Sequence, residues 1–432
     1  MGCNGTGTRA RPTLRAVQCG NWNLRLSRAR TALCILAQMT VPLESVQNCL
    51  STRIGKELLA ELWYANWDTP VSKTIEHLGI ALGTNLGLKR SRNEDRIAVA
   101  QVTTGSKHQY TAILVCDGVG GSEMGDAAAT IAIASFISEL SLASTNPPLL
   151  SLLPALIRKT DTAVRLALGG RGSTTLSVLL VSGTGDIAAA NVGDSRIYSW
   201  GQGLESFDQV SVDDTMENEL RQLPIKDKSV LEAHGLRGKL SQAVGEPRRN
   251  TDELNIVVFG GAFFREGAVL ATDGAWKSDS VGFTSIALNA GTPSDVTRRA
   301  LAFANWTGGV DNVAVIAIRS VAGLIPLTVI PERLSSKATW ATVWSGDFKF
   351  TVCEADSSQN FDRRKVPGTS VTKKLPVDDG AKAKTYVRKR SRGFKSVEPE
   401  LDLAHSRDSE SAKGGTRPLV EISTDDSSDK KS

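Results

Sequence analysis

The sequence is poor in the residue types that form disulfides, bind soft metals or cross membranes. It has six cysteines and four histidines in 432 residues, and no two cysteines form a C-x-x-C pair. This scarcity argues against a disulfide framework and a zinc ribbon, and it favours a reducing compartment. No apolar run approaches the roughly 18 residues that a membrane-spanning helix needs. We therefore expect a cytoplasmic protein without a transmembrane segment, in which any metal chemistry rests mainly on carboxylates.

Acidic residues are absent from the first 43 residues, which contain six arginines. Residues 355–432 are also basic, with 17 Lys/Arg against 13 Asp/Glu. The net charge of +5 for the whole chain, less the +6 and +4 of these flanks, leaves −5 for residues 44–354. The basic composition therefore describes the flanks, and we expect the acidic body to bind no nucleic acid.

Each flank has more than one interpretation. The start of the chain has the composition of an organellar transit peptide or of a disordered tail. Residues 1–6 also fit the myristoylation pattern M-G-x-x-x-[ST], with Cys3 available for palmitoylation. Residues 355–432 have the composition of a disordered segment. Their basic block at 382–395 is either a solvated stretch or a binding site for phosphate groups, acidic proteins or membranes.

Apolar runs rich in β-branched residues alternate with helical patterns in the body of the chain. The runs predict strands at 111–116, 174–181, 187–192, 196–200, 254–259, 268–271 and 313–318. Helical spacing predicts helices at 126–140, 149–168 and 293–304, and a short one within 43–67. Short turns between strands, such as 182–186, predict hairpins. The pattern favours an α+β fold with antiparallel sheets inside and helices outside.

We divide the chain into four parts. Residues 1–75 are an unassigned extension, partly helical or disordered, and 76–325 form the main domain. Residues 326–354, which include Trp340 and Trp344, are either a docking segment or a last strand pair. Residues 355–432 are a disordered charged tail.

Acidic residues occur at five places where a predicted strand meets a glycine or a turn. The positions are Glu94-Asp95, Asp117, Asp194, Asp273 and Asp311. One such aspartate is usually a turn or cap residue, but several at one end of a sheet would repel each other without a cation among them. Oxygen ligands favour Mg²⁺ or Mn²⁺ over zinc. Two such ions sharing a carboxylate would lower the pKa of a bridging water enough to give a nucleophile for in-line attack on phosphorus.

Six motifs, in order over about residues 80–320, resemble those of the metal-dependent type 2C protein phosphatase (PPM) family. They are Arg90-x-x-Asn93-Glu94-Asp95, Val115-Cys116-Asp117-Gly118-Val119-Gly120-Gly121, Gly172-Ser173-Thr174-Thr175, Ala190-Asn191-Val192-Gly193-Asp194-Ser195-Arg196, Ala271-Thr272-Asp273-Gly274 and Asp311-Asn312-Val313-Ala314-Val315. The glycine-rich version without a long insertion is similar to the bacterial branch. Residues 1–75 and 321–432 lie outside the resemblance.

The resemblance implies a four-layer αββα sandwich, with two antiparallel β-sheets flanked by helices, and a site for two Mn²⁺ or Mg²⁺ ions at one end. Asp117 resembles the carboxylate that bridges both ions, and Gly118 resembles the residue whose carbonyl binds one of them. Asp273 and Asp311 resemble ligands of the other ion. Asp194 resembles a ligand of a weaker third ion.

The same resemblance implies the catalytic residues and the partners. Glu94 and Asp95 resemble the acids that hold metal-bound water, and Arg90 resembles the guanidinium that clamps the substrate phosphate. The implied activity is hydrolysis of phosphoserine and phosphothreonine in phosphorylated proteins, with a cognate serine/threonine kinase as a natural partner.

Three positions depart from the family pattern. Val119 stands where many eukaryotic members have a histidine, so this side chain cannot act as a general acid. Gln242 replaces a frequently basic position in the expected wall of the cleft. Residues 213–237 match the mobile flap only loosely, which leaves the choice of substrate open.

Two other functions are compatible with parts of the sequence. Gly193-Asp194-Ser195 is similar to the G-D-S block of certain serine esterases, with His405 as the base. A serine nucleophile needs its base rigidly placed, however, and His405 lies in the predicted disordered tail. The second alternative is a non-catalytic scaffold that binds phosphoproteins, although a cluster of unfilled carboxylates would destabilise such a protein.

Overall fold

A computed structural model describes residues 41–354 except 120–123, 202–205, 223–235, 237, 248 and 327–337. The N-terminal patterns, the charged tail with its basic block, and His405 therefore lie outside the described residues. No helix of the described part is long and apolar enough to cross a membrane.

The described residues form 13 strands in two antiparallel sheets. The strands are β1 Val71–Ile75, β2 Ile80–Asn85, β3 Arg96–Thr103, β4 Gln109–Cys116, β5 Leu176–Ser182, β6 Ile187–Val192, β7 Arg196–Gly201, β8 Ser206–Gln209, β9 Val257–Gly260, β10 Gly267–Ala271, β11 Val313–Ile318, β12 Thr339–Ser345 and β13 Phe348–Glu354. One sheet has six strands in the order β1-β2-β11-β10-β7-β8, and the other has seven in the order β13-β12-β3-β4-β5-β6-β9.

Helices cover the outer faces of both sheets. The described helices are Leu43–Gln47, Arg53–Trp63, Gly125–Ser141, Leu149–Leu168, Met216–Gln222, Asp273–Trp276, Ser280–Leu288 and Pro293–Trp306. Gly125–Ser141 packs on the seven-stranded sheet and is covered by Arg53–Trp63 and Leu149–Leu168. Because it has neighbours on several sides, it is apolar around most of its circumference, and nearly all its residues are buried. Pro293–Trp306 packs on the six-stranded sheet. The predicted α+β sandwich is confirmed.

The predicted strands and helices of the body are found with small shifts at their ends. Two predictions are wrong in extent. The strand predicted at 254–259 covers only Val257–Gly260, because residues 251–253 form a 3₁₀ turn capped by Asn250. The helical pattern at 43–67 is two helices, separated at Thr52, whose hydroxyl accepts a hydrogen bond from the amide of Gly55 at the start of the second.

The core extends beyond the residues covered by the family resemblance. Val46, Leu58 and Trp67 are buried in the main hydrophobic cluster, and β1 pairs with β2 along its whole length. At the other end, β12 and β13 form an antiparallel pair, and β12 joins the seven-stranded sheet beside β3. Residues 339–354 are thus the last strand pair, the second of the two alternatives for this segment.

Candidate metal centre and active site

The acidic residues identified in the sequence lie at one end of the sandwich. Asp95 directly precedes β3 and Asp117 directly follows β4, and these strand ends are adjacent because Arg96 is paired with Cys116. In the other sheet, Asp273 follows the end of β10, and Asp311 lies just before the start of β11. These two strand ends are adjacent, because Ala271 is paired with Val315. Asp194 lies in the turn from β6 to β7, and β7 runs antiparallel to β10.

Hydrogen bonds join the acidic segments of the two sheets. The hydroxyl of Thr272, beside Asp273, donates to Asp95 Oδ2 at 2.8 Å. The amide of Glu94 donates to Asn312 Oδ1, beside Asp311, at 2.8 Å. The segments of both sheets thus hold each other in place, although they come from sequence positions about 180 to 220 residues apart.

Burial and mutual repulsion raise the pKa values of these acids. Burial raises the pKa of Asp95 well above the usual aspartate value, and the negative charges of Asp273 and Asp311 raise it further. Burial also raises the pKa of Asp117 well above that value, with added contributions from Asp95 and Asp273. The pKa of Asp194 rises to about 7, first through burial and then through the charge of Asp273. The cluster therefore stays ionised at neutral pH more easily when cations are bound to it.

Two basic side chains border the cluster. Arg90 is 37 % exposed, donates to Asp311 Oδ2 at 2.8 Å and lies 3.9 Å from Glu94 Oε2. Lys277 donates to Asp273 Oδ2 at 2.5 Å. Burial lowers the pKa of Lys277, but the nearby acids outweigh this effect and the pKa is raised overall.

Sequence reasoning identified Arg90 but missed Lys277. The available signal was its spacing, because a lysine four residues after an aspartate in a helical turn lies beside it. The structure brings together all eight residues predicted for the site, and their individual roles stay predictions.

The donor set fits divalent cations such as Mn²⁺ or Mg²⁺. The side chains supply only carboxylate oxygens, which suit hard ions. Asp273 Oδ1 is buried and has no hydrogen-bond partner within the described part of the chain, so one strong acceptor is left for a cation. A Cβ atom at Gly118 would lie 2.5 Å from the backbone of Gly125, so only glycine leaves the carbonyl beside Asp117 in this position.

The acids are not arranged as a closed ligand shell. Among the described residues, no three His, Cys, Asp or Glu side chains stand close enough together to enclose an ion. The ion pairs of Asp311 with Arg90 and of Asp273 with Lys277 contribute to this open arrangement.

A layer of uncharged polar residues supports the acids. Asn93 is fully buried and donates to Trp67 O and to Thr84 Oγ1, while its own Oδ1 accepts from the amide of Asp95. Thr175 Oγ1 accepts from the amide of Asp117 at 2.9 Å. These bonds fix the backbone on which the carboxylates stand.

The structure argues against a serine nucleophile at the G-D-S block. Ser195 is fully buried, and its hydroxyl is hydrogen-bonded to Thr175 Oγ1 at 2.7 Å. A nucleophile needs access to its substrate and a base within hydrogen-bond reach. The two histidines within the described ranges lie elsewhere, His77 against Trp344 and His108 beside Thr104.

The structure describes Gln242 and part of the loosely matched flap region. Gln242 is buried, donates to Asn255 O and accepts from the Asn255 amide. It therefore fastens two loop segments together. In the loosely matched flap region, Asp213 forms a two-oxygen ion pair with Arg196, and residues 223–235 lie outside the described residues.

Comparison with known proteins adds a relative that matches the central part of the chain. No family model matches the chain. The protein phosphatase PhpP of Streptococcus pneumoniae is 27 % identical over 260 residues, covering 55 % of this chain and 96 % of its own length. Among solved structures, a serine/threonine phosphatase of S. agalactiae is 22 % identical, with a TM-score of 0.47 over 56 % of this chain and 98 % of its own. The catalytic domain of the phosphatase PstP, solved with two manganese ions, is 23 % identical, with a TM-score of 0.42 over 58 % and 99 %.

The match to PhpP is about as long as the stretch that carries the six ordered motifs, and the sandwich fold brings the acids of those motifs to one end. These findings support the resemblance of the central part of the chain to the bacterial-like branch of the metal-dependent type 2C protein phosphatase (PPM) family.

Proposed function

We propose that this protein hydrolyses phosphoserine and phosphothreonine in phosphorylated proteins, using water activated at a site for two Mn²⁺ or Mg²⁺ ions. The observation that carries the proposal is the convergence of acids from both sheets around Asp273, whose buried Oδ1 has no partner among the described residues. A buried carboxylate oxygen without a donor destabilises a protein unless a cation or a ligand binds it.

The positions of the ligands and the family resemblance support a role for each ligand. Asp117 enters the cluster from the seven-stranded sheet and interacts electrostatically with Asp273, Asp194 and Asp311, so it is the carboxylate best placed to be shared between ions. The carbonyl of Gly118 would complete its side of the site, and Asp273 and Asp311 would hold the other. Divalent ions bound at these residues would lower the pKa of a coordinated water and would neutralise charge on the phosphoryl oxygens.

The chain's own residues would bind and orient the substrate phosphate. Arg90 is a partly exposed cation at the rim, and its planar guanidinium suits two oxygens of a phosphate group. Its bond to Asp311 holds the side chain next to the acids before substrate arrives. Glu94 and Asp95, fixed through Asn312 and Thr272, would hold the attacking water by accepting its protons.

The partners and setting remain part of the proposal. Phosphorylated proteins are the expected substrates, and a cognate serine/threonine kinase and a cytoplasmic location are predictions from the family and the composition.

The test uses the full-length protein with phosphoserine and phosphothreonine peptides, in Mn²⁺ and in EDTA. We expect phosphate release that requires Mn²⁺ and that falls at least 100-fold in Asp117→Asn and Asp273→Asn, as for loss of a group that acts directly in catalysis. Asp347→Asn is the matched control, because Asp347 is exposed in the β12–β13 turn. Full activity of both site variants would refute the metal-site assignment. Phosphopeptide binding without turnover in any metal would instead support the scaffold alternative.

A further inference from the structure

Lys277 places a positive charge beside Asp273 at the edge of the carboxylate cluster. It follows the Asp273–Trp276 helix, and its backbone amide donates to Asp273 O at 2.8 Å. Its side chain returns to the same residue, with Nζ 2.5 Å from Asp273 Oδ2. Because backbone and side chain both bond to Asp273, the ammonium group is held next to this carboxylate, although half of the side chain is exposed.

The two oxygens of Asp273 have different environments. Oδ2 accepts from Lys277, whereas Oδ1 is buried without a partner within the described ranges. The residue is only 6 % exposed. Lys277 therefore neutralises one side of the carboxylate and leaves the other for a metal ion.

Asp194 lies on the side of the cluster that Lys277 occupies. It is 7 % exposed, and the charges acting most strongly on it are those of Asp273 and then Lys277. The family resemblance assigns a weaker third ion to Asp194. In this chain, the Lys277 ammonium group bonds to Asp273 and also acts electrostatically on Asp194.

A count of charges agrees with this arrangement. The cluster contains six acids, which carry six negative charges when ionised: Glu94, Asp95, Asp117, Asp194, Asp273 and Asp311. Two divalent ions with Arg90, Lys277 and the buried Arg96, which acts on Glu94 and Asp95, supply seven positive charges. A third divalent ion beside Lys277 would raise the excess from one positive charge to three in a partly buried site, which electrostatic repulsion disfavours.

We infer that Lys277 replaces the third metal ion in this chain, so that the site binds two divalent ions and uses the lysine ammonium group next to Asp194. The inference rests on the proposed function, because it presupposes the metal site at Asp117, Asp273 and Asp311. It assigns Lys277 as a positioning residue that sets the number of ions.

The experiment measures the number of Mn²⁺ ions bound per chain, by equilibrium dialysis and by isothermal titration calorimetry on the full-length protein. The informative variant is Lys277→Asp, which removes the ammonium group and adds a carboxylate one turn from Asp273. Three divalent ions with Arg90 and Arg96 would then carry eight positive charges against seven acids, the same excess of one as in the unchanged protein with two ions. Lys159→Gln is the control, because Lys159 forms an ion pair of 2.8 Å with Glu139 on the outer helices.

We expect two ions for the unchanged protein and for Lys159→Gln, and three for Lys277→Asp. Three ions in the unchanged protein, or two in a folded Lys277→Asp variant, would overturn the inference and leave the proposed function intact. No Mn²⁺ bound by the unchanged protein would instead refute the proposed metal site. Far-ultraviolet circular dichroism checks that Lys277→Asp is folded. If it is not folded, Lys277→Gln is used instead and is expected to bind a weak third Mn²⁺ ion. A count of two ions for Lys277→Gln would then refute the inference.

Discussion

Replacing Trp344 by alanine tests whether residues 339–354 belong to the catalytic fold or form a detachable docking segment. Trp344 lies in β12 opposite Val99 of β3 and is only 4 % exposed. Its ring packs 5.6 Å from the His77 ring, and Lys349 Nζ lies 5.1 Å from its centroid on the other side. A residue buried between the sheet and its neighbours in this way contributes to global stability.

The expected loss follows from the volume removed. Truncating a buried tryptophan to alanine lowers the free energy of unfolding by about 3–5 kcal/mol, since the cavity collapses only in part. At roughly 2–4 °C per kcal/mol, the melting temperature would fall by roughly 6–20 °C. The lower end of this temperature range is more appropriate, because the described chain has more residues than the domains to which roughly 2–4 °C per kcal/mol applies.

Thermal unfolding followed by circular dichroism measures the effect directly. Trp306→Ala is a matched control, because Trp306 is 81 % exposed at the end of its helix. An exposed truncation of this kind changes the free energy of unfolding by about 0.5 kcal/mol or less. If Trp344→Ala melted within 2 °C of the unchanged protein, while phosphopeptide binding weakened, residues 339–354 would be a docking segment and the reasoning would fail.

Two further outcomes are expected at the acidic cluster. Thr272→Val should lower the free energy of unfolding by about 1–3 kcal/mol, because it leaves Asp95 Oδ2 and the amide of Ala314 without their partner. The control far from the cluster is Thr342→Val, which removes a hydroxyl that pairs with Thr351. Equal denaturation midpoints for the two variants would contradict the supporting role of Thr272. In EDTA, the melting temperature should fall as the pH rises from about 5 to about 7.5, since folded Asp194, with a pKa of about 7, retains a proton that the unfolded chain has lost. Mn²⁺ should remove most of that fall by stabilising the ionised acids, and a melting temperature that rises over this range in EDTA would show that the acids are not forced together.

Much of the fold could be predicted from local patterns. β6 and β11 have the predicted ends, because both are short apolar runs that are buried almost throughout. The helix Leu149–Leu168 agrees residue for residue, because it buries one apolar face with a period of 3.6. The pattern was less informative for β1 and β8, which are short and partly exposed, so few of their residues need to be apolar. No local signal marks the pairing of β12 with β3, since the partners lie more than 200 residues apart.

The sequence predicted the acidic residues of the site, but it did not predict the basic residue Lys277 that pairs with one of them. Each acid stands beside a strand end and a glycine or turn, and that signal is local. Lys277 was missed because a lysine after a short helix is usually solvated, and only the fold shows that its ammonium group turns towards Asp273. The same holds for the burial of Ser195, which removes the esterase alternative although its sequence block is intact.

The sequence by itself determined which chemistry is available, because scarce histidine and cysteine, together with acids at strand ends, leave oxygen ligands and hard cations as the only consistent metal chemistry. Tertiary structure decided which of those acids meet. Asp95 and Asp273 come from different sheets, and only the packing of one sheet on the other brings Thr272 within hydrogen-bond distance of Asp95. It also decided where the positive charges stand, since an ion pair depends on distances between side chains that local sequence does not specify.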